Sequence, residues 1–257
     1  GLIVPLGLTL GVWIILLGHL IGNTPLALGG LIGSRWGIPT MVGVRPSFGI
    51  RGSCFAAALN VIQLIGWTAV MLIVCGGAAD AISTFYGFSN PPLWIVLSGI
   101  VTTLWALVGH RIWKWLQRIS VIALLILCTV MTYLLFRQYG WNMLSQIPRD
   151  QNFPLMVGMD LVIAMPISWL PLVSDYSRFA KDSKSSFWGT WIGYFIVSSW
   201  MYLVGLAAAL ATRSPDPSGV VMNLMVEFGW AIPALIIVLF STFTTTFLDI
   251  YSTAISG

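Results

Sequence analysis

Apolar residues in this chain arrive in long unbroken runs rather than in alternation. Seven stretches reach membrane-crossing length: Leu6 to Ile32, Cys54 to Ala79, Pro92 to Val108, Ile119 to Phe136, Phe153 to Val173, Trp188 to Ala211 and Trp230 to Ile255. A helix rising about 1.5 Å per residue crosses a hydrocarbon core of about 30 Å in about 20 residues. The runs are apolar on all faces and show no period of two, which predicts helices and not a barrel. Connections between them are short, the longest polar one being Ser34 to Ser53. The pattern therefore predicts an all-α integral membrane protein with seven transmembrane helices in a single transmembrane domain over residues 1–257.

Composition agrees with the pattern. Hydrophobic residues make up 58% of the chain and charged residues 8%, against about 25% charged in soluble domains. The net charge of +4 does not imply a nucleic-acid partner, because the basic residues sort by loop. Arg35, Arg45 and Arg51, then Arg111, Lys114 and Arg118, then Arg178, Lys181 and Lys184 fall in alternate connections, while the others hold only Arg137, Arg149 and Arg213. By the positive-inside rule the richer set faces the cytoplasm, placing a multi-pass protein in the cell inner (plasma) membrane. The chain begins Gly1-Leu2-Ile3 without Met and ends at Gly257 on an apolar run, so it is expected to be a fragment with at least one earlier helix. Cys54, Cys75 and Cys128 form no CxxC pair and read as packing residues. His19 and His110 form no HExxH, which leaves a membrane zinc protease unsupported.

Polar residues inside the runs carry the candidate chemistry. Asn60, Gln63 and Trp67 stand at i, i+3 and i+7, on one helical face. Two amides beside an indole suit an aromatic, hydrogen-bonding solute; they equally suit amide bonds between helices, with Trp67 as packing. In the last run, Ser241, Thr245, Asp249 and Ser252 form a polar stripe at helical spacing. A carboxylate at mid-span costs at least about 2.5 kcal/mol on insertion scales, so Asp249 should face a cavity or a partner. The neighbouring hydroxyls are hard oxygen donors of the kind sodium favours, or they bond back to helix carbonyls. Pro166 and Pro171 disrupt the fifth run, as a kink or as the discontinuity typical of a transporter site. Asp160 sits near the outer end of that run, in reach of water. Asp175 and Arg178 are placed to cap or pair at its cytoplasmic mouth, and Glu227 should be solvated outside.

Four stretches together resemble the nucleobase:cation symporters, in particular their hydroxymethylpyrimidine (thiamine-precursor) branch. They are Gly37-Ile38-Pro39 followed by Arg45-Pro46-Ser47-Phe48-Gly49; Gln63-Leu64-Ile65-Gly66-Trp67; Asp175-Tyr176-Ser177-Arg178-Phe179-Ala180; and Phe243-Thr244-Thr245. The resemblance implies part of a leucine-transporter-like five-plus-five inverted-repeat bundle, with this chain equivalent to family helices two to eight. It implies that Trp67 stacks on the substrate ring, that Thr244 and Thr245 bind sodium, and that Ser168 contacts the base. The family's second stacking aromatic would fall at Pro166 here, with Trp169 three residues away. Asp249 stands where relatives carry an Asn-rich stretch. With Gln63 and Asn60 these residues make up the expected substrate set.

The resulting expectation is a secondary transporter, not an enzyme. It would import a pyrimidine-like solute such as hydroxymethylpyrimidine or cytosine, with sodium or a proton as coupling ion and no other cofactor. Its partners are that solute and the lipid bilayer, not nucleic acid. Three rivals stand beside it: a symporter of the same fold for allantoin, hydantoin or an amino acid; a membrane enzyme using Asp249 or Asp160 as base; and a channel. The enzyme lacks clustered His, Cys or paired carboxylates, and the polar patch is too compact for a channel lining.

Overall fold

The computed structural model describes residues 3–108, 110–213, 217–226 and 229–256. Glu227 lies outside them, as do the side chains of Arg111 and Lys114. The helices are α1 (Gly7–Trp36), α2 (Thr40–Gly43), α3 (Arg45–Thr84), α4 (Pro91–Val108), α5 (His110–Gln138), α6 (Gly140–Ser145), α7 (Leu155–Ser168), α8 (Val173–Ser177), α9 (Ser183–Thr212), α10 (Pro217–Val226) and α11 (Ala231–Ser256).

Among the described residues, six helical segments are long and apolar enough to cross a membrane, and α4, on the remaining run that the sequence predicts, is an apolar helix over Pro91–Trp105. The expected loop from Ser34 to Ser53 is largely helical as well. Gly37 ends α1 at φ 66°, ψ 22°, with its N–H on Gly33 O at 2.8 Å, a left-handed stop that glycine adopts at little cost. Pro39 then leads into α2, and Arg45-Pro46 starts α3, proline being favoured in a first helical turn. Gly49 (φ 68°, ψ 177°) breaks that helix a turn later, in a conformation reserved for glycine.

The chain packs as two compact units. One comprises Gln63–Asn142 and Ala208–Thr253; the other comprises Leu2–Ile62, Met143–Ala207 and Ala254–Gly257. In the first unit α3 and α4 approach closely, a Cβ on Gly76 falling 2.9 Å from Ile95 Cα. Their turn is held by Asp80, whose carboxylate accepts from Asn90 N at 2.6 Å and from Ser89 Oγ at 3.0 Å.

In the second unit α1 lies along the fifth run on a stripe of glycines. A Cβ on Gly18 would come 2.6 Å from Val162 Cγ1, one on Gly22 3.0 Å from Ile163 O, and one on Gly33 2.7 Å from Ser174 Cα. Small residues are how helices come together in lipid, where apolar burial gives no net drive. The fifth run is interrupted: α7 stops at Ser168, turns cover Trp169–Leu172, and α8 resumes at Val173. Pro166 and Pro171 each withhold an amide donor from this stretch. Outside the membrane span, Asp182 caps α9 through Ser185 N at 2.8 Å and Ser185 Oγ at 2.7 Å. Those bonds, the backbone one first, hold its carboxyl below the usual range.

Candidate functional site

Within the first unit, α11 carries the polar stripe. Ser241, Asp249 and Ser252 are buried, with Thr245 half-buried. Thr244 Oγ1 donates to Ser241 O at 2.8 Å and Thr245 Oγ1 to the same carbonyl at 3.1 Å. The back-bonding foreseen for these hydroxyls is thus present, and it gathers three oxygens at one point of the helix. Adjacent helical positions diverge by about 100°, yet a shared acceptor brings both hydroxyls together. Each threonine oxygen still offers lone pairs, since donating uses only its hydrogen. Asp249 follows one turn later with 5% of its surface exposed.

Trp67, on the part of α3 in the same unit, is half-buried, as is Gln63. Asn60 belongs to the second unit and is buried at 3% exposure. Its Nδ2 donates to Ser256 Oγ at 2.9 Å, an interhelical amide bond of the kind the sequence left open. Its Oδ1 is buried with no hydrogen-bond partner among the described residues. An unsatisfied buried carbonyl costs about 1–3 kcal/mol, so this atom is a standing acceptor for an N–H.

Also in the second unit, Ser168 Oγ donates to Met165 O at 2.7 Å at the end of α7. Trp169, the next residue, lines a cavity of about 360 Å³ together with Leu26, Tyr176, Ser186, Thr190 and Tyr194. Asp160, on α7, is exposed.

A family model described as "Permease for cytosine/purines, uracil, thiamine, allantoin" matches residues 1–256. The chain belongs to this permease family. The family comprises membrane permeases rather than enzymes, and the permease is accordingly a multi-pass protein of the plasma membrane. The cytosine permease of Escherichia coli (strain K12) is 27% identical over 245 residues, 94% of this chain and 56% of the relative. A solved structure of Mhp1, a nucleobase-cation-symport-1 family transporter in a closed conformation with bromovinylhydantoin bound, superposes with a TM-score of 0.81 at 21% identity. That match covers 97% of this chain and 60% of the other. Mhp1 in an inward-facing conformation gives 0.80 at 20% identity, covering 95% and 58%. These likenesses establish the fold as the leucine-transporter-like bundle anticipated from the sequence motifs. The chain spans little more than half the length of the curated purine-cytosine and cytosine permeases it matches, 53% to 56%.

Two of the motifs that carry the resemblance turn out to bind each other in the permease. Thr40 N, just after Gly37-Ile38-Pro39, donates to Asp175 Oδ1 at 3.0 Å. In return Ser174 N donates to Thr40 Oγ1 at 3.1 Å, and Ser174 Oγ donates to Gly29 O at 3.0 Å. Asp175 is 1% exposed, while the Arg178 guanidinium lies over the Phe179 ring at 4.7 Å. The capping role expected of Asp175 is therefore exercised on α2, a partner 135 positions away that spacing alone does not reveal. Asp175→Ala strands the half-buried Thr40 amide and leaves the site of a buried carboxylate empty, which should cost about 1–3 kcal/mol. Asp175→Asn keeps an accepting oxygen and should cost less. Thermal unfolding of both variants in lipid nanodiscs checks the order.

Proposed function

We propose that the full-length protein is a cation-coupled secondary transporter importing a pyrimidine-like solute such as hydroxymethylpyrimidine or cytosine. The observation that carries this reading is the cluster on α11, where two threonine hydroxyls meet at the Ser241 carbonyl inside a buried stripe leading to Asp249. Hard oxygen donors without a fixed charge suit a monovalent hard cation, and sodium is assigned to Thr244 and Thr245. Asp249, one turn on, acts on the solute and is the residue to hold a proton if the coupling ion is H⁺. Residues 1–257 are taken as a single transmembrane domain equivalent to family helices two to eight.

The solute is recognised by groups of complementary chemistry. Trp67 offers a ring face and Gln63 an amide. Asn60 contributes the Oδ1 that lacks a protein partner. Ser168 and Trp169, at the break of the fifth run, supply a hydroxyl and a second ring. A hydantoin or allantoin-like solute is the second reading, favoured by the bromovinylhydantoin bound in the similar Mhp1 structure.

Uptake of labelled cytosine, hydroxymethylpyrimidine and hydantoin into proteoliposomes, under an imposed sodium or pH gradient, tests both readings. Sodium-driven accumulation of a pyrimidine is expected, and accumulation of none of the three under either gradient refutes the assignment. Stacking contributes about 0.5–1.5 kcal/mol, so Trp67→Ala should weaken binding of the accepted solute about three- to tenfold. Trp67→Phe should lose less. Equal affinity in all three proteins would return Trp67 to packing.

A further inference from the structure

The second unit gathers positive charge at one end. Its basic residues come from two places far apart in the chain: Arg35, Arg45 and Arg51 around α2, and Arg178, Lys181 and Lys184 around the connection between α8 and α9. Three further contacts join the Thr40–Asp175 pair in drawing them together. Gly33, two residues before Arg35, packs on Ser174 and on Ser177, the neighbour of Arg178. Gly43, two residues before Arg45, packs on Ile32 of α1, a Cβ there falling 3.1 Å from Cγ2. Ser186, two residues after Lys184, donates through Oγ to Gly30 O at 3.3 Å.

Arg35, Arg45, Arg51, Lys181 and Lys184 are exposed, and so are the Trp36, Phe48 and Phe179 side chains among them. The Arg35 guanidinium lies over the Trp36 ring at 5.8 Å. The two carboxylates of these segments are already committed to the protein. Asp175 is buried and accepts from Thr40 N, while Asp182 accepts from Ser185 N and Oγ. Six cations against two carboxylates leave this surface strongly positive.

The cavity of about 360 Å³ adjoins that charge. Its wall follows α9 from Ser185 to Tyr194, about 14 Å at 1.5 Å per residue. That is about half of a hydrocarbon core of about 30 Å, the depth of one leaflet. Gly189, midway along, is exposed, and a Cβ on it would meet nothing within 4 Å, so the slot is open to the side.

We propose that this end of the second unit binds an anionic phospholipid. Lys181 and Lys184 hold its phosphate with Arg35 and Arg45 alongside, and one acyl chain lies in the slot between α1, α8 and α9. The combination selects the occupant. A soluble anion uses the charge and leaves the apolar slot unfilled, whereas a neutral lipid fills the slot and leaves the charge unmatched. The positive-inside rule puts this end on the cytoplasmic face, where basic pockets between helices suit anionic headgroups and exposed aromatic rings settle at headgroup level. The Thr40–Asp175 pair thereby holds two basic segments as one patch. Trp169, offered to the solute above, stands with Leu26 away from the charged end, so the headgroup site does not use it.

The test is native mass spectrometry of the full-length protein in detergent, titrated with dioleoyl phosphatidylglycerol or dioleoyl phosphatidylcholine. The phosphatidylglycerol should bind at least about tenfold more tightly. A cation near an anionic headgroup is worth about fivefold in affinity, so Lys181→Gln with Lys184→Gln should weaken phosphatidylglycerol binding about ten- to thirtyfold. Gly189→Leu fills the slot and keeps every charge, and should weaken it at least about fivefold. Arg137→Gln with Arg149→Gln, on the opposite face, should leave it unchanged. Thermal unfolding in lipid-free detergent checks that each variant is folded. Equal binding of the two lipids would overturn the proposal, as would displacement of phosphatidylglycerol by millimolar inorganic phosphate. Loss of binding in the Arg137 and Arg149 variant as large as in the lysine variant, or wild-type binding in Gly189→Leu, would do the same. The readout needs no transport, so it stands or falls separately from the solute assignment.

Discussion

Alanine at Gly33 is expected to destabilise the protein by about 1–3 kcal/mol, the usual cost of forcing atoms into a packed site. Alanine at Gly205 should leave stability unchanged or raise it. Both glycines lie in long helices, but their surroundings differ. A Cβ at Gly33 meets the Ser174 backbone at 2.7 Å and collides with Ser177 Oγ, whereas one at Gly205 has nothing within 4 Å. Backbone cannot swing aside as a flexible side chain does, so α1 must be displaced from α8. At Gly205 what remains is alanine's better helix propensity, worth about 1 kcal/mol. Paired thermal unfolding curves in nanodiscs decide the matter, and equal midpoints would show that α1 and α8 do not approach so closely.

The second large effect is expected in ion dependence. Thr244→Val and Thr245→Val each remove one of the hydroxyls that meet at Ser241 O while keeping the shape of the side chain. Hydrogen bonds and contacts to charged partners are worth about 1.5–3 kcal/mol. The sodium concentration for half-maximal uptake should therefore rise about ten- to hundredfold in either variant. Thr→Ser at the same sites should restore much of the loss. Linkage requires sodium to tighten solute binding by the factor with which solute tightens sodium, so solute affinity at saturating sodium should change little. Unaltered sodium dependence in both valine variants would reduce these hydroxyls to helix back-bonding and hand the coupling role to a proton.

Much of the architecture was legible because the bilayer imposes one rule over many residues. Apolar runs of spanning length locate the helices, and the motif from Asp175 to Ala180 with the pair Thr244-Thr245 pointed to the permease family. Local chemistry was less legible. Pro25 lies inside α1 without stopping it, while Pro166 and Pro171 accompany a true interruption, so proline alone does not announce a break. Polar partners far apart in the chain were invisible. Asn60 meets Ser256, Thr40 meets Asp175, and His19 meets Ser198 at a separation of 179 residues. Periodicity places a residue on a face but not what that face touches. The loop from Ser34 to Ser53 was misjudged because glycine and proline signal both turns and helix starts, and here Pro46 begins a helix.

The reciprocal bonds of Thr40 have a mechanical consequence. At the opposite end of the same pair of elements, Asp150 N donates to Pro5 O at 2.8 Å, and the glycine contacts run between the two fastenings. α1 and the interrupted span are thus riveted at both mouths and keyed along their length, like the two flanges of one girder. A girder does not shear when it is pushed. A displacement imposed at one end must reach the other as movement of the whole pair, and any bending has to be absorbed by segments lying outside it.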